Sequence, residues 1–415
     1  MTDFDRFKEL YKVLEYSFEG IELNKVVAGY IWDSANGKKV FSWRHLIKFM
    51  FAYDVNYIKM PNENGFIATF LEGWRKEFYA MFCNIVDRLS ISPTVTELYK
   101  LKNKKKIRFH PFIVIKIHKK VFSQLKHTNV SLWDKLGWAS EYIFWCNTIL
   151  ELKKLNASNI KKYMCMCHVI GFENLLTQFF QQRGVETYSL QEGIYMVYKK
   201  NIVMGSIAYE VFSTDHLLCW GQYTKDEYVA YGISPSRISV AGYPNKVLVK
   251  AVRQNNKYRK VLVLLAGPIF GDVNMKLLNM LERLRKDFDV TLKSHPSNYV
   301  DMKEYAETHG FKIVLKAQSV NECLSTGFYD FTIAVNTTSY YESWMAGIPS
   351  FRYLDNRFDE FYGFDDFFTD ESELIALINN YRSYPKSQDD IEQMLNYSIG
   401  IGVDNYNSII FDNKL

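Results

Sequence analysis

Short apolar strands alternate with amphipathic helices twice along this chain, and that alternation restricts its fold more than any other feature. The first series reads KYMCMCHVI (strand), ENLLTQFFQQRG (helix), VETYSL (strand), HLLCWG (strand), TKDEYVAYG (helix) and RISVAGYP (strand). A polar, basic stretch, KAVRQNNKYRK, follows. The second series then runs KVLVLLAG, a helix over 273–287, DVTLKSHP, a helix over 300–309, FKIVLKA, a short helix over 319–325, FTIAV, a helix over 338–346 and PSFRY. Near-continuous apolar strands alternating with helices predict parallel sheets covered on both faces. The interruption predicts two such sheets in tandem. The expected architecture is α/β, two Rossmann-like doubly wound domains facing a cleft. Their expected bounds are 1–248 and 256–390, with a linker at about 246–258 and a closing helix and tail over 391–415 that packs back on the first domain.

Upstream the signal is weaker. Residues 1–60 begin with an amphipathic helix and carry no clear motif. FIATF reads as a strand and is followed by a helix from about Trp74 to Leu89. Residues 132–155 predict one long helix whose apolar stripe includes Trp133, Leu136, Trp138, Tyr142, Trp145 and Leu150. Gly184 is the expected stop of the ENLLTQFFQQRG helix, and Thr224 the expected N-cap of TKDEYVAYG.

At 415 residues the chain is long for one core. A hydrophobic content of 48% with 23% charged residues fits a soluble globular protein, and a net charge of +5 does not call for nucleic acid. The six cysteines show no zinc spacing. Cys165 and Cys167, two apart in an apolar run, read as buried reduced thiols on one face of a strand, which points to the cytoplasm. MTDFDRFKEL has neither the basic nor the apolar region of a signal peptide, and no run approaches the ~18 apolar residues of a membrane span.

Two strand ends carry the chemistry. DVTLKSHP delivers Lys293, Ser294, His295 and Pro296. FTIAV opens into Asn336, Thr337, Thr338 and Ser339, then a helix bearing Glu342. A strand whose C-terminal end brings a cation and hydroxyls to a helix start is suited to holding a phosphate. His295 would donate to a donor phosphate and stabilise charge on the leaving nucleotide. The hydroxyls at 337–339 would bind phosphate or serve as N-caps, and Glu342 would bind ribose or close a capping box on Ser339. Gly267, after KVLVLL, would let a ligand approach the backbone. In the first domain Glu192, beside Gly193 at the end of VETYSL, is either a general base or a solvated loop carboxylate. His168, Glu173, Gln191 and Gly193 are candidates for lining the acceptor side. The basic run from Lys100 to Arg108 is either solvated surface or a contact for anionic lipid.

ENLLTQFFQQRGVETYSLQEGIY and CWGQYTKDEYVAYGISPSRISVAGYP resemble GT-B-type bacterial glycosyltransferases of capsule and surface-polysaccharide biosynthesis. KSHP and NTTSYYESWMAGIPSF are similar to the His-Pro and Ser/Thr motifs of bacterial sialyltransferases and related transferases of that fold. The resemblance covers roughly 163–352. It implies a metal-independent, inverting glycosyltransferase with no cofactor, working at the inner face of the membrane. Glu192 would be the base, His295 the acid or leaving-group stabiliser, and Thr338 and Ser339 phosphate binders. The donor would be a UDP- or CMP-linked sugar and the acceptor a cell-surface glycan or lipid-linked glycan. Three rivals stay open: a CDP-polyol phosphotransferase, a sugar-nucleotide 2-epimerase and a non-catalytic assembly protein.

Overall fold

Every strand pairing in the two principal sheets is parallel, and the strands interior to each sheet are buried along nearly their whole length and read as mostly apolar. The structure, a computed structural model, describes residues 2–61, 64–73, 75–169, 171–245 and 259–412. The first sheet contains β1 (Phe66–Phe70), β2 (Thr94–Glu97), β3 (Lys162–Cys165), β4 (Glu186–Leu190), β5 (His216–Cys219) and β6 (Ile238–Val240), in the spatial order β6-β5-β4-β3-β1-β2. The second contains β7 (Lys260–Leu264), β8 (Asp289–Lys293), β9 (Lys312–Ile313), β10 (Phe331–Ala334), β11 (Ser350–Tyr353) and β12 (Phe367–Phe368), in the order β9-β8-β7-β10-β11-β12. The α/β class and the tandem sheets are as the alternation predicts.

These orders fix where ligands fit. The second sheet winds outward from β7 to β9, then reverses to β10. That is the dinucleotide-binding strand order, whose crevice lies beyond the C-terminal ends of the two strands flanking the reversal. Here those strands are β7 and β10, with β8 adjacent. The first sheet reverses between β1 and β3, next to β4.

Several local expectations change. The helix after β1 runs Lys76–Val86, and Trp74 lies outside the described residues, as does the expected linker at 246–258. Thr224 is not a cap. The helix Gln222–Ala230 starts at Gly221, and Thr224 is buried inside it. Gly221 is required because the backbone of Ser398 packs against it, 2.5 Å from where a Cβ would stand. Cys165 ends β3, so Cys167 lies beyond the strand and the two thiols do not share a strand face. The long helix, Leu132–Leu152, is buried almost continuously from Gly137 onward, not along a single stripe. It carries two buried carboxylates. Glu141 pairs with Lys48 at 2.6 Å, and Glu151 with Lys106, Arg108 and Lys154. Two cations of the Lys100–Arg108 run are therefore committed to an internal carboxylate, and Lys100 pairs with Glu97 at 2.6 Å.

The chain returns to its first half at the end. The helix Gln388–Ile399 packs on Gln222–Ala230, where the Tyr397 hydroxyl donates to Asp226 at 2.9 Å. Farther on, Tyr406 donates to the Gly242 carbonyl at 2.6 Å. Residues 413–415 lie outside the described part. One apolar core, with Trp220, Tyr340 and Leu395 among its members, draws on both halves of the chain.

Candidate active site

The C-terminal end of β8 buries a cation and a hydroxyl. Lys293 and Ser294 are only 7% and 3% exposed, and the Ser294 Oγ has no hydrogen-bond partner among the described residues. Among the described residues no carboxylate lies within ion-pair distance of Lys293. Burial pulls its pKa down, while Cys323, Glu77 and Glu322 partly offset this. A buried ammonium and an unsatisfied hydroxyl are costly unless an anion completes them.

His295 follows, half-buried. Its Nδ1 accepts the Ser297 backbone N–H at 3.3 Å, which puts the proton of the neutral ring on Nε2. The Ser297 hydroxyl lies 2.6 Å from the same nitrogen. Burial lowers the His295 pKa, and the Arg75 charge lowers it further, so the ring is neutral near pH 7. Pro296 opens the short 3-10 turn after it. Gly267 faces the ring, whose carbons lie 3.8 Å from the position of a Cβ.

Beyond β10, Asn336 takes a left-handed φ of +36°, which Asn tolerates better than most residues, and donates to the Asp359 carbonyl at 3.1 Å. Thr337 Oγ1 lies 3.4 Å from the Ser339 hydroxyl and accepts the Ser339 N–H. Thr338 occupies the cap position of the helix Ser339–Met345 without bonding through its side chain, which leaves its hydroxyl uncommitted to capping. Glu342 accepts the Tyr243 hydroxyl at 2.9 Å, across from the first domain, and burial raises its pKa.

Glu192 follows β4 and Glu72 follows β1. Burial and the nearby Glu72 charge raise the Glu192 pKa to about 7, while Arg75 opposes them. Burial raises Glu72 also, and Arg75, at 3.6 Å, draws it back. One Glu192 oxygen is buried without a hydrogen-bond partner among the described residues. Two close carboxylates that cannot both ionise freely are a recurrent arrangement for a base working near neutral pH. Arg75 acts electrostatically on Glu72 and Glu192 in one domain and on His295 in the other. Arg75 is thus a common electrostatic neighbour of Glu192 and His295.

The remaining acceptor-side candidates sit elsewhere. His168 is 1% exposed, with its ring against Phe212, and its pKa falls to about 3 because burial disfavours its charge. Gln191 is spent on bracing. Its amide donates to the Gly193 carbonyl and Thr224, and its oxygen accepts the Trp220 N–H at 2.7 Å. Glu173 is fully buried, accepts the Cys167 N–H at 3.0 Å and the Thr69 hydroxyl at 3.1 Å, and burial raises it to about 8. These three shape the turns around Glu192 from inside. Gly193, half-buried, supplies the carbonyl that Gln191 holds.

Sequence reasoning passed over Glu72, Arg75 and Glu360. Glu72 and Arg75 follow the FIATF strand as Glu192 follows VETYSL, and the same rule applied there finds them. Glu360 lies in an irregular loop, its pKa raised to about 7 by burial, with no local pattern to mark it. Two Asp-x-Asp triplets, Asp3-Phe4-Asp5 and Asp287-Phe288-Asp289, lie in the first turn of a surface helix and at the N-terminal end of β8. Both are away from these strand ends.

No family model and no curated protein matches the chain. Solved structures do. Anabaena HepE in complex with UDP is 9% identical, with a TM-score of 0.49 over 84% of this chain and 99% of that one. A lipopolysaccharide outer core galactosyltransferase, WaaB, is 14% identical, with a TM-score of 0.46 over 84% and 99%. A UDP-GlcNAc 2-epimerase from Methanocaldococcus jannaschii is 9% identical, with a TM-score of 0.45 over 83% and 98%. The neighbours thus include both glycosyltransferases and epimerases.

Proposed function

We propose that the protein is a glycosyltransferase that moves a sugar from a nucleotide donor to a glycan or lipid-linked hydroxyl, with inversion. One juxtaposition carries the reading. A buried cation, an unsatisfied hydroxyl and a neutral His295 follow β8, one strand from the reversal in its sheet, and Arg75 links His295 electrostatically to Glu192, which follows β4, one strand from the reversal in the other.

In this reading the nucleotide phosphate sits between Gly267, Lys293, Ser294, His295 and Thr337–Ser339. The acceptor oxygen attacks the anomeric carbon while Glu192 takes its proton. The bond from that carbon to the phosphate oxygen breaks, and the electron pair leaves on the nucleotide. Lys293 and the His295 Nε2–H stabilise the new charge. Arg75 holds the second carboxylate, Glu72, close to Glu192 and limits how far their mutual repulsion rises.

Incubation with a panel of UDP-, CMP-, CDP- and GDP-linked donors, with and without surface-glycan extracts, tests this by product analysis. Acceptor-dependent release of free nucleotide and a new glycosidic bond is expected. Isomerisation of a donor without any acceptor, or a phosphodiester in the product, would assign the site to an epimerase or a polyol phosphotransferase instead.

A further inference from the structure

The first domain carries an apolar face that the proposed chemistry leaves unused. It is built from the helix Trp43–Leu46, the two-stranded ribbon of Phe51–Tyr53 with Lys105–Ile107, and the first turns of the helix Pro111–Gln124. These elements adjoin. Phe51 pairs with Ile107, the Arg108 N–H donates to the Met50 carbonyl at 2.8 Å, and the Phe49 and Phe109 rings are 6.0 Å apart. Phe112 is 86% exposed, Ile107 73% and Trp43 63%, and Ile47, Phe109 and Ile115 are also exposed. Isolated exposed apolar residues are ordinary, but six on adjoining elements form a patch of the kind that marks an interaction site.

The segment that carries most of the patch is basic, and Asp54, at the end of the ribbon, is paired with Lys106 at 3.4 Å. Residues 98–130 hold ten lysines and arginines and no Asp or Glu. The helix Pro111–Gln124 turns Ile117 and Val121 into the core, so Phe112, Ile115, Lys116 and Lys119 share the outward side. Lys116, Lys119 and Lys120 of this helix are exposed, whereas Lys106 and Arg108 are held by Glu151.

We propose that this face seats the protein on an anionic lipid bilayer. Trp43, Phe109, Phe112 and Ile115 enter the boundary between headgroups and acyl chains, and the three lysines meet the headgroup phosphates. A second copy of the chain fits less well, since a two-fold contact through this face would set the same lysines against each other. The face is also joined to the site. Tyr53 of the ribbon stacks on Phe172, centroids 4.9 Å apart, and Phe172 lies in the first turn of the helix Gly171–Gln181, whose Glu173 holds Cys167 beside Glu192. On the glycosyltransferase reading, which this last step alone requires, a lipid-linked acceptor would reach Glu192 from this side.

The test is co-sedimentation of the full chain with vesicles of equal phosphatidylglycerol and phosphatidylcholine, against phosphatidylcholine alone. Binding to the first should exceed that to the second by about tenfold or more and weaken in high salt. The Phe112→Glu/Ile115→Glu variant should lose it while keeping the wild-type melting temperature and any nucleotide-induced shift. Lys116→Gln/Lys119→Gln/Lys120→Gln should cut binding about tenfold or more. Equal partition onto both vesicles, or unchanged binding by the Phe112→Glu/Ile115→Glu variant, overturns the proposal. So does a dimer in light scattering that this variant dissociates. Vesicle binding does not depend on the identity of any donor, so its failure is separable from failure of the catalytic reading.

Discussion

Glu192 and Glu72 compete for charge, and Arg75 arbitrates. If Glu192 is the base, its reactive form is the carboxylate, so kcat should climb as pH rises through about 7, where burial and Glu72 have moved its ionisation. Glu192→Gln should lower kcat by about 10²-fold or more and leave donor affinity unchanged. A near-normal rate would make Glu192 a positioning residue. Glu173 offers a stability test. The native residue keeps its proton to about pH 8, the unfolded one only to the ordinary glutamate range near 4.5. Between those values the native state binds more protons, so stability falls as pH rises across that window. Glu173→Gln should flatten the slope in denaturant titrations, and an unchanged slope would contradict the assignment. Glu192 and His295 stand out in the sequence as candidates because each follows an apolar strand beside a turn-forming Gly or Pro. Sequence reasoning misplaced His168 and Gln191, since a polar residue at a strand end looks alike whether it points to solvent or braces its neighbours.

At the scale of elements, the strand and helix alternation was readable nearly throughout the two sheets, because strands buried on both faces must be apolar along their length. Strand order was not, as parallel order depends on long-range packing that no local pattern encodes. The origin of the Gln222–Ala230 cap was hidden for the same reason. Gly221 starts that helix where a distant segment leaves no room for a side chain. Gly242 meets a like constraint. Its φ is +99°, and a Cβ would stand 2.0 Å from the Val403 carbonyl oxygen. Gly242→Ala should destabilise the protein by about 1–3 kcal/mol or more in chemical denaturation, through backbone strain and displacement of the returning segment. A cost below about 0.5 kcal/mol would mean that segment is loosely held.

Across the whole molecule, the two sheets meet through specific bonds as well as a shared core. Tyr243 reaches Glu342, and the Asp359 carboxylate accepts the backbone N–H groups of Lys199 and Lys200 at 2.6 and 2.7 Å. Asp359 follows β11, and its carbonyl accepts the Asn336 amide beside the hydroxyls proposed to bind phosphate, so domain contact and the proposed donor site adjoin. Asp359→Ala should raise the donor KM more than it lowers kcat, as a domain-closure contact would. An effect on kcat alone would place Asp359 in the chemical step instead.

The central claim is that the β7, β8 and β10 ends hold a nucleotide. Thermal shift of the full chain against UDP, CMP, CDP and GDP tests it without knowledge of the sugar or the acceptor. One of these, UDP or CMP foremost, should raise the melting temperature in a concentration-dependent way. Lys293→Ala and His295→Ala should each abolish or sharply reduce that rise. A wild-type protein that responds to none of the four, or a shift that survives both substitutions, would contradict the account.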